Sequence, residues 1–362
     1  MPPLRIAGVM SGTSADGVDV AVVRIGAGWR WKLEGFHHAA YSPRERSAIL
    51  AAASGRATAP ALAELHVAIG RRVAQAVRAT RATPLDAVAS HGQTVFHAGR
   101  RATLQLGDPA TIAALTGVPV ISDFRAADIA QGGEGAPLVP WADLWLFGHP
   151  RRFRAVLNLG GIANLTLLPP GRDPAAVSGF DTGPANMPLD SLMQLASGGR
   201  QAYDRNGAYA ASGEADSRLL AALQRHPFFR RPPPKSCGRE QFGAPYVAAI
   251  LRRYPRLARA DVMATLVRLI AWSIARQLPP DTTEVIVAGG GVRNRTLMRA
   301  LAAAEPAVRW LHSGELGVPA QAREAMAFAL LGAAHLRRVP ANVPAVTGAR
   351  RAVVLGSFTP AG

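Results

Sequence analysis

The chain of 362 residues is 49% hydrophobic and 18% charged, a composition that predicts a globular protein long enough to form two lobes. Its net charge is +17 and all but two of its 41 basic residues are arginine. These arginines are scattered without aromatic-basic motifs, so a general preference for arginine explains the charge better than a nucleic-acid surface. One cysteine excludes an intrachain disulfide, and neither a signal peptide nor a stretch of about 18 apolar residues is found, so we expect a cytoplasmic protein.

The first motif is the stretch 8–20, G-V-M-S-G-T-S-A-D-G-V-D-V, which lies between two predicted strands at 4–7 and 18–25. Glycine allows such a short loop to fold back tightly, and its N–H groups and hydroxyls can then converge on an anion such as phosphate. The loop lacks the lysine of a Walker A motif. An ordinary hairpin with a polar turn remains an equally good interpretation of this stretch by itself.

A predicted helix at 61–80 is followed by a short strand at 85–90 and the polar cluster S-H-G-Q-T. Ligands of open α/β sheets bind at such strand ends. The histidines of this region, His91 and His97, are six residues apart, which is not the spacing of a helical metal pair. After a helix at 109–116 and a strand at 118–122, the segment 131–140 is rich in glycine and proline, which predicts a hinge or active-site loop and a lobe boundary.

The second half repeats the opening theme. Strands are predicted at 155–159 and 162–168 on either side of a Gly-Gly turn, which argues for duplicated lobes that face one ligand. Asp181 is predicted to lie on a tight turn before a helix at about 185–195, where it is either a helix cap or a general base. A strand at 284–288 then leads through Gly-Gly-Gly into another helix, a turn that lets a base or ribose approach the backbone.

The last predicted helix, 320–337, carries Glu324 in its first turn. A glutamate at this position often only complements the helix dipole.

The motifs form one ordered set: G-V-M-S-G-T-S-A-D-G-V-D, S-H-G-Q-T, L-G-D-P, S-D-F-R, G-G-E-G-A-P-L-V-P, L-N-L-G-G-I-A-N, G-F-D-T-G-P-A-N, D-R-N-G-x-x-A-x-x-G, P-P-P-K-S-C-G-R-E, A-G-G-G-V-R-N and E-A-M-A-F-A. This set resembles the anhydro-N-acetylmuramic acid kinase family over residues 8–329. The resemblance implies the actin, Hsp70 and sugar-kinase superfamily, with an α/β fold of two ribonuclease-H-like lobes and a nucleotide cleft between them. We expect the first lobe at 1–130, with 340–362 packed back on it, and the second at 131–339.

The resemblance also implies that the protein binds ATP with Mg²⁺. The residues it implies for ATP are Gly12, Thr13, Ser14, Ala15, Asp16, Gly17, Val18, Asp19, Gly160, Gly161, Gly289, Gly290, Gly291 and Asn294. Because Mg²⁺ gives up its waters reluctantly, we expect it to be held largely through water near Asp16, Asp19 or Asp181.

The family converts 1,6-anhydro-N-acetylmuramic acid, ATP and water to N-acetylmuramic acid 6-phosphate and ADP, a step of peptidoglycan recycling, and the resemblance suggests a homodimer. By position, Asp181 matches the catalytic base, while His91, Gln93, Thr94 and Glu324 match residues that contact the sugar. Arg125 is our own assignment for the lactyl carboxylate, because a guanidinium suits a carboxylate.

The sequence departs from the family pattern at two places near the expected lobe junction. Glu134 stands where glutamine is usual, and Ala142-Asp143 stands where Phe-His is common. Both departures concern substrate detail and not the reaction class.

The sequence leaves three other functions to be distinguished: a superfamily kinase for a sugar with a free hydroxyl, a nucleotide-switched binding module of the chaperone and actin branch, and a metal-dependent tRNA-modifying relative. The second lacks the S-H-G-Q-T and F-D-T-G-P signatures, and the third would require an H-x-x-x-H pair that is not found.

Overall fold

A computed structural model describes residues 2–362 of the chain. Its strands are β1 (Leu4–Ser11), β2 (Gly17–Ile25), β3 (Trp31–Ala40), β4 (Ala87–Ala98), β5 (Ala102–Leu106), β6 (Val120–Ser122), β7 (Phe153–Leu159), β8 (Ile162–Leu168), β9 (Ser178–Pro184), β10 (Thr282–Ala288), β11 (Arg309–His312) and β12 (Ser357–Thr359). Its helices are α1 (Pro43–Ala53), α2 (Ala59–Ala79), α3 (Pro109–Thr116), α4 (Ala126–Ala130), α5 (Val139–Phe147), α6 (Asn186–Ala196), α7 (Ala208–Ala211), α8 (Ser217–Gln224), α9 (Arg239–Phe242), α10 (Ala244–Arg253), α11 (Arg259–Ala275), α12 (Arg295–Ala304), α13 (Arg323–Leu336) and α14 (Pro344–Thr347). Within 2–362, none of these helices combines the length and the apolar character needed to cross a bilayer.

The chain divides into two compact units. The first contains the residues up to Leu146 together with Gly317–Gly362, and the second is Phe147–Leu316. This division differs from the lobes expected from the sequence, because residues 131–146 and 317–339 fall in the first unit. The reason is visible in α13, which is buried along most of its length and packs on β1, β2 and β4.

Both units contain a sheet with the same five-stranded core, to which the first unit adds β5 and β12. In the first, the order is β12-β6-β4-β1-β2-β3, where β1, β2 and β3 are antiparallel, β4 and β6 run parallel to β1, and β5 pairs with β4. In the second, the order is β11-β10-β7-β8-β9, with β7, β8 and β9 antiparallel and β10 and β11 parallel to β7. This is the ribonuclease-H-like arrangement in duplicate, which confirms the predicted α/β fold class.

Each sheet is covered by helices whose apolar residues form its core. In the first unit, the predicted periodic face of α2 is buried, with Leu65, Ile69, Val73 and Val77 in one cluster with residues of β1, β2 and β4. On the other side, α13 approaches β1 so closely that a Cβ at Gly8 would collide with the carbonyl oxygen of Ala325. In the second unit, α11 supplies much of the core between α6, α8 and α12.

The segment 131–140, predicted as a hinge or active-site loop at the lobe boundary, lies inside the first unit. Asp128 is fully buried, and one of its oxygens accepts from Gly135 N at 2.8 Å. Its other oxygen accepts from Asn342 and Thr347, each at 2.7 Å. The carboxylate therefore ties this segment to the C-terminal part of the chain, and the division between the units lies elsewhere.

Two local predictions differ from the structure near the motifs. Asp181 lies inside β9, opposite Asn164 of β8, and not on a turn before a helix. The strand that carries His91 does not end there but continues to Ala98, because its second half leaves β1 and pairs with β5.

Candidate active site

The loop between β1 and β2 exposes polar groups on a tight turn. Ala15 N donates to Gly12 O at 3.1 Å, and Ala15 has a left-handed φ of 51°. Thr13, Ser14 and Asp16 are exposed, whereas the side chains of Ala15 and Val18 are buried. The loop can therefore offer hydroxyls, backbone N–H groups and one carboxylate to a ligand, and its apolar side chains serve packing.

Two predicted sugar contacts on β4 are buried and bonded to protein. Gln93 Nε2 donates to Gly12 O at 3.1 Å, so its amide supports the loop between β1 and β2. His91 Nδ1 lies 2.8 Å from Gly92 O and must donate to it, which leaves Nε2 to accept from Arg125 Nε at 3.0 Å. Burial, helped by the charge of Arg125, lowers the pKa of His91 to about 3, so the ring is neutral. Thr94, by contrast, is only half-buried.

Arg125 and Glu324 are close enough to sense each other's charge, but they do not form an ion pair within 4.0 Å. Desolvation lowers the pKa of Arg125, and among residues 2–362 no carboxylate lies within ion-pair distance of it. A partly buried guanidinium whose only close side-chain partner is a neutral imidazole is suited to an anionic ligand. The Glu324 side chain is solvent-exposed and its carboxylate accepts no hydrogen bond from the described chain, although desolvation by the surrounding protein raises its pKa.

A buried ion pair fixes the start of the helix that carries Glu324. Arg323 Nη2 donates to Asp143 Oδ2 at 2.5 Å, and Arg323 Nε donates to Asp143 Oδ1 at 3.1 Å. Asp143 is completely buried. The departure from the family pattern at Asp143 thus has a structural role one residue from Glu324, which the sequence alone did not indicate.

The carboxylates near the first loop suit a weakly held Mg²⁺. Asp19 Oδ1 lies 2.7 Å from His38 Nδ1, and desolvation is the largest of the effects that raise the pKa of Asp19, with the charge of Asp16 adding to it. Asp16 is exposed. Within 2–362 no group of three His, Cys, Asp or Glu side chains could hold a metal. Asp16 and Asp19 offer only two carboxylates, which suits Mg²⁺ because this ion usually keeps several waters and also binds phosphate oxygens.

In the second unit, Asp181 is held by the segment P-P-P-K-S-C-G-R-E. Its Oδ2 accepts from Cys237 N at 2.9 Å, and its own N donates to Lys235 O at 2.9 Å. Its Oδ1 has no hydrogen-bond partner among the described residues. Burial raises the pKa of Asp181 to about 6 despite the bond from Cys237. Asp181 is therefore a fixed carboxylate with one free oxygen and an increased affinity for protons.

The same segment contains Cys237 and Lys235, and the surroundings of their side chains indicate structural roles. Burial, reinforced by the negative charge of Asp181, raises the pKa of the Cys237 thiol to about 12, so it is not a thiolate nucleophile at neutral pH. The Lys235 ammonium is buried over the ring of Phe228, 4.9 Å from its centroid. The proline-rich motif thus positions Asp181, a role for which the sequence gave no signal beyond the motif itself.

The two other glycine motifs meet in the second unit. Because β7 and β10 are parallel neighbours, the turn at 160–161 lies beside 289–291. Gly289 has a φ of 87°, and a Cβ there would lie 2.8 Å from Leu159 O. Asn186 N donates to Gly160 O at 3.0 Å, which docks the start of α6 on the turn.

Asn294, predicted to bind ATP, is largely buried, and its Oδ1 caps α12 by accepting from Leu297 N at 3.0 Å. Thr296 Oγ1 donates to Gly207 O at 2.7 Å, so the D-R-N-G loop also packs here.

The family model for anhydro-N-acetylmuramic acid kinase matches residues 4–361. The chain is 45% identical to an anhydro-N-acetylmuramic acid kinase of Cyanothece sp., with 98% of this chain and 99% of the relative covered. The relative of the same description from Streptomyces coelicolor is 43% identical, with 99% and 94% covered. That of Xanthomonas axonopodis pv. citri is 44% identical, with 98% and 97% covered.

The chain belongs to the anhydro-N-acetylmuramic acid kinase family. This confirms the predicted family and the prediction of an ATP-using kinase. Membership in the anhydro-N-acetylmuramic acid kinase family also favours the enzyme over a nucleotide-switched binding module or a tRNA-modifying protein.

Proposed function

We propose that this enzyme of cell-wall sugar recycling converts 1,6-anhydro-N-acetylmuramic acid, ATP and water to N-acetylmuramic acid 6-phosphate and ADP. The observation that carries the mechanism is Asp181, which the backbone N–H of Cys237 holds by one oxygen while the other is free. A carboxylate of this kind can accept a proton from a water molecule.

The chemistry follows from the substrate. In a 1,6-anhydro sugar O6 is bonded to C1, so no free 6-hydroxyl exists to be phosphorylated. Water attacks C1 and loses a proton to Asp181 as the C1–O6 bond breaks. O6 then attacks the γ-phosphorus, and the bond between the γ-phosphorus and the ADP oxygen breaks. Positive charge that develops at C1 makes water a sufficient nucleophile, as in glycoside hydrolysis. The γ-phosphorus accepts O6, so no second carboxyl group has to protonate a leaving group.

The raised pKa of Asp181 suits this role. A value of about 6 leaves the carboxylate mostly ionised at neutral pH, and it is a stronger base than an ordinary aspartate of pKa about 3.9. General bases work best when their pKa lies near the operating pH. Burial of Asp181 therefore favours its use as a proton acceptor.

We assign ATP to the three glycine motifs. In the first unit, Thr13 and Ser14 offer exposed hydroxyls and N–H groups to phosphate oxygens, and Asp16 with Asp19 would hold Mg²⁺ largely through water. When bound, Mg²⁺ supplies positive charge that offsets the charge of the phosphates. In the second unit, 160–161 offers backbone groups to phosphate and 289–291 offers a close approach to adenosine.

For the sugar, we assign the lactyl carboxylate to Arg125. His91 does not contact the sugar but orients the guanidinium through its Nε2. Glu324 and Thr94 are accessible acceptors for sugar hydroxyl or amide groups.

The assignment of Arg125 is tested by the substitution Arg125→Gln, which removes the charge-assisted bond to the lactyl carboxylate. With about 1.5–3 kcal/mol for such a bond, kcat/KM for the lactyl sugar falls about 10- to 150-fold. An anhydro sugar without the lactyl group, 1,6-anhydro-N-acetylglucosamine, serves as the control and is turned over equally by both proteins.

The reaction is tested in ¹⁸O-labelled water with mass analysis of the product. The label is expected at C1 of the sugar and not in the phosphate. Label in the phosphate would indicate simple ATP hydrolysis and would refute the proposed mechanism. Turnover of an ordinary hexose, without the anhydro sugar, would favour a kinase for a free hydroxyl.

We further propose that the enzyme works in the cytoplasm as a homodimer, which rests on its resemblance to the family. Light scattering coupled to size-exclusion chromatography measures the mass directly. A monomer at micromolar concentration would contradict the proposed dimer.

A further inference from the structure

A chain of hydrogen bonds lies under the loop 12–16. Gln93 Nε2 donates to Gly12 O, which fixes the amide and turns its Oε1 toward Ser11. Ser11 Oγ is 2.6 Å from Gln93 Oε1 and 3.0 Å from Gly17 O, so the shorter contact to Gln93 is favoured. Because Oε1 can only accept, Ser11 donates to it. Tyr41 Oη, 2.9 Å from Ser11 Oγ, then donates to Ser11. The chain runs in one direction, from Tyr41 to the Gly12 carbonyl.

This chain is shielded from water. Ser11 is 3% exposed, Gln93 1% and Tyr41 8%. In such surroundings hydrogen bonds reinforce one another and an unpaired polar group is costly. Burial is the largest cause that raises the pKa of Tyr41 to about 12, so the phenol keeps the proton that it donates. Every member of the chain is therefore held in one orientation.

The same groups hold both sides of the loop. Gln93 binds the carbonyl of Gly12 where the loop begins, and Tyr41 N donates to Asp16 O at 3.0 Å where it ends. The exposed residues Thr13 and Ser14 lie between these two anchors. Gln93 also stands on β4 beside Thr94, so the strand assigned to the sugar and the loop assigned to phosphate are joined by one side chain.

We propose that Tyr41 and Gln93 are positioning residues that hold the loop 12–16 ready to bind a nucleoside triphosphate. Neither side chain is assigned a contact with ATP, yet the affinity for ATP depends on both. The inference rests on the proposed assignment of this loop to the phosphates.

The experiment compares Tyr41→Phe with Tyr246→Phe. The first removes only the hydroxyl that donates to Ser11. The second removes a buried hydroxyl in the other unit that has no hydrogen-bond partner among residues 2–362. Hydrogen exchange of peptides covering 12–16 is measured without ligand, and ATP affinity is measured by calorimetry. Tyr41→Phe is expected to speed exchange in the loop and to weaken ATP binding about three- to tenfold, as for loss of one buried neutral hydrogen bond. KM for ATP rises accordingly, while kcat at saturating ATP changes less than twofold.

Ser11→Ala, which interrupts the chain one step closer to the loop, is expected to act in the same direction. Loop exchange and ATP affinity equal to those of Tyr246→Phe would overturn the proposal, as would faster exchange without weaker ATP binding. Hydrogen exchange of 12–16 in the wild-type protein, measured with and without ATP, shows separately whether this loop binds ATP at all. Protection of 12–16 by ATP supports the assignment, whereas its absence removes the loop from the ATP site and overturns both.

Discussion

Replacement of Asp181 by asparagine is expected to abolish turnover and, at neutral pH, to stabilise the protein. Asn has the size of Asp and can still accept from Cys237 N, but it cannot take a proton from water. Loss of a general base typically costs about 10²–10⁴-fold in rate. ATP binding should change little, because Asp181 is assigned to the water and not to the nucleotide.

The stability gain follows from the pKa of Asp181, which burial raises from 3.8 to about 6. Because the folded protein binds this proton more tightly than the unfolded chain, ionisation destabilises the fold. The cost is absent below about pH 4, grows between pH 4 and 6, and is constant above pH 6. At 1.36 kcal/mol per unit, and reduced because Asp181 is partly exposed, we expect about 1–3 kcal/mol. Asn removes this cost only where Asp181 would be charged.

The assay is thermal unfolding of both proteins at pH 4 and pH 8, together with kcat/KM between pH 5 and 9. For a domain of this size class, the variant should melt about 2–10 °C higher at pH 8 and equally at pH 4. Wild-type kcat/KM should fall about tenfold per pH unit below about pH 6 and level off above it. Asp190→Asn is the matched control for stability, because burial raises the pKa of Asp190 to about 6 as well.

A variant that melts lower at pH 8, or that shows the same shift at both pH values, would refute the buried-charge argument. A variant with near wild-type turnover would remove Asp181 from the mechanism.

Three further substitutions test other parts of the site. Gly289→Ala forces a residue with a Cβ into φ 87° and against Leu159 O, so calorimetry should show weaker ATP binding. Asp143→Ala leaves the buried Arg323 without its partner, and urea unfolding should show a loss of about 3–5 kcal/mol. Glu324→Gln keeps the shape but removes the accessible charge, so steady-state kinetics should show a higher KM for the sugar with KM for ATP unchanged. Unchanged values in these measurements would contradict the assignments.

The sequence determined the family and the local elements. The order and spacing of the glycine motifs identified the kinase, because each motif is a short backbone geometry that its own residues specify. The apolar period of α2 and the paired strands β7 and β8 were predicted to within about two residues, since neighbours along a helix or hairpin are neighbours in sequence. The motif G-F-D-T-G-P-A-N singled out Asp181 as a candidate general base, although its predicted position on a turn was wrong.

Only the tertiary structure decided which partners the site residues have. His91 and Gln93 looked like sugar ligands, but Arg125, Ser11 and Gly12 occupy their polar atoms. The pKa of Asp181 depends on its burial and on the N–H of Cys237, which lies 56 residues further along the chain. Burial and charge partners arise from contacts between distant segments, and short motifs carry no record of those contacts.

The placement of α13 shows the same limit. The helix was predicted from its sequence, but its packing on β1 and β4 assigns Glu324 to the first unit, after the whole second unit has intervened in the chain. An almost wholly apolar helix reveals that it is buried, but not which sheet buries it. The close approach at Gly8 accompanies that packing, and the ion pair between Arg323 and Asp143 stabilises the start of the helix; both contacts join residues more than 150 positions apart.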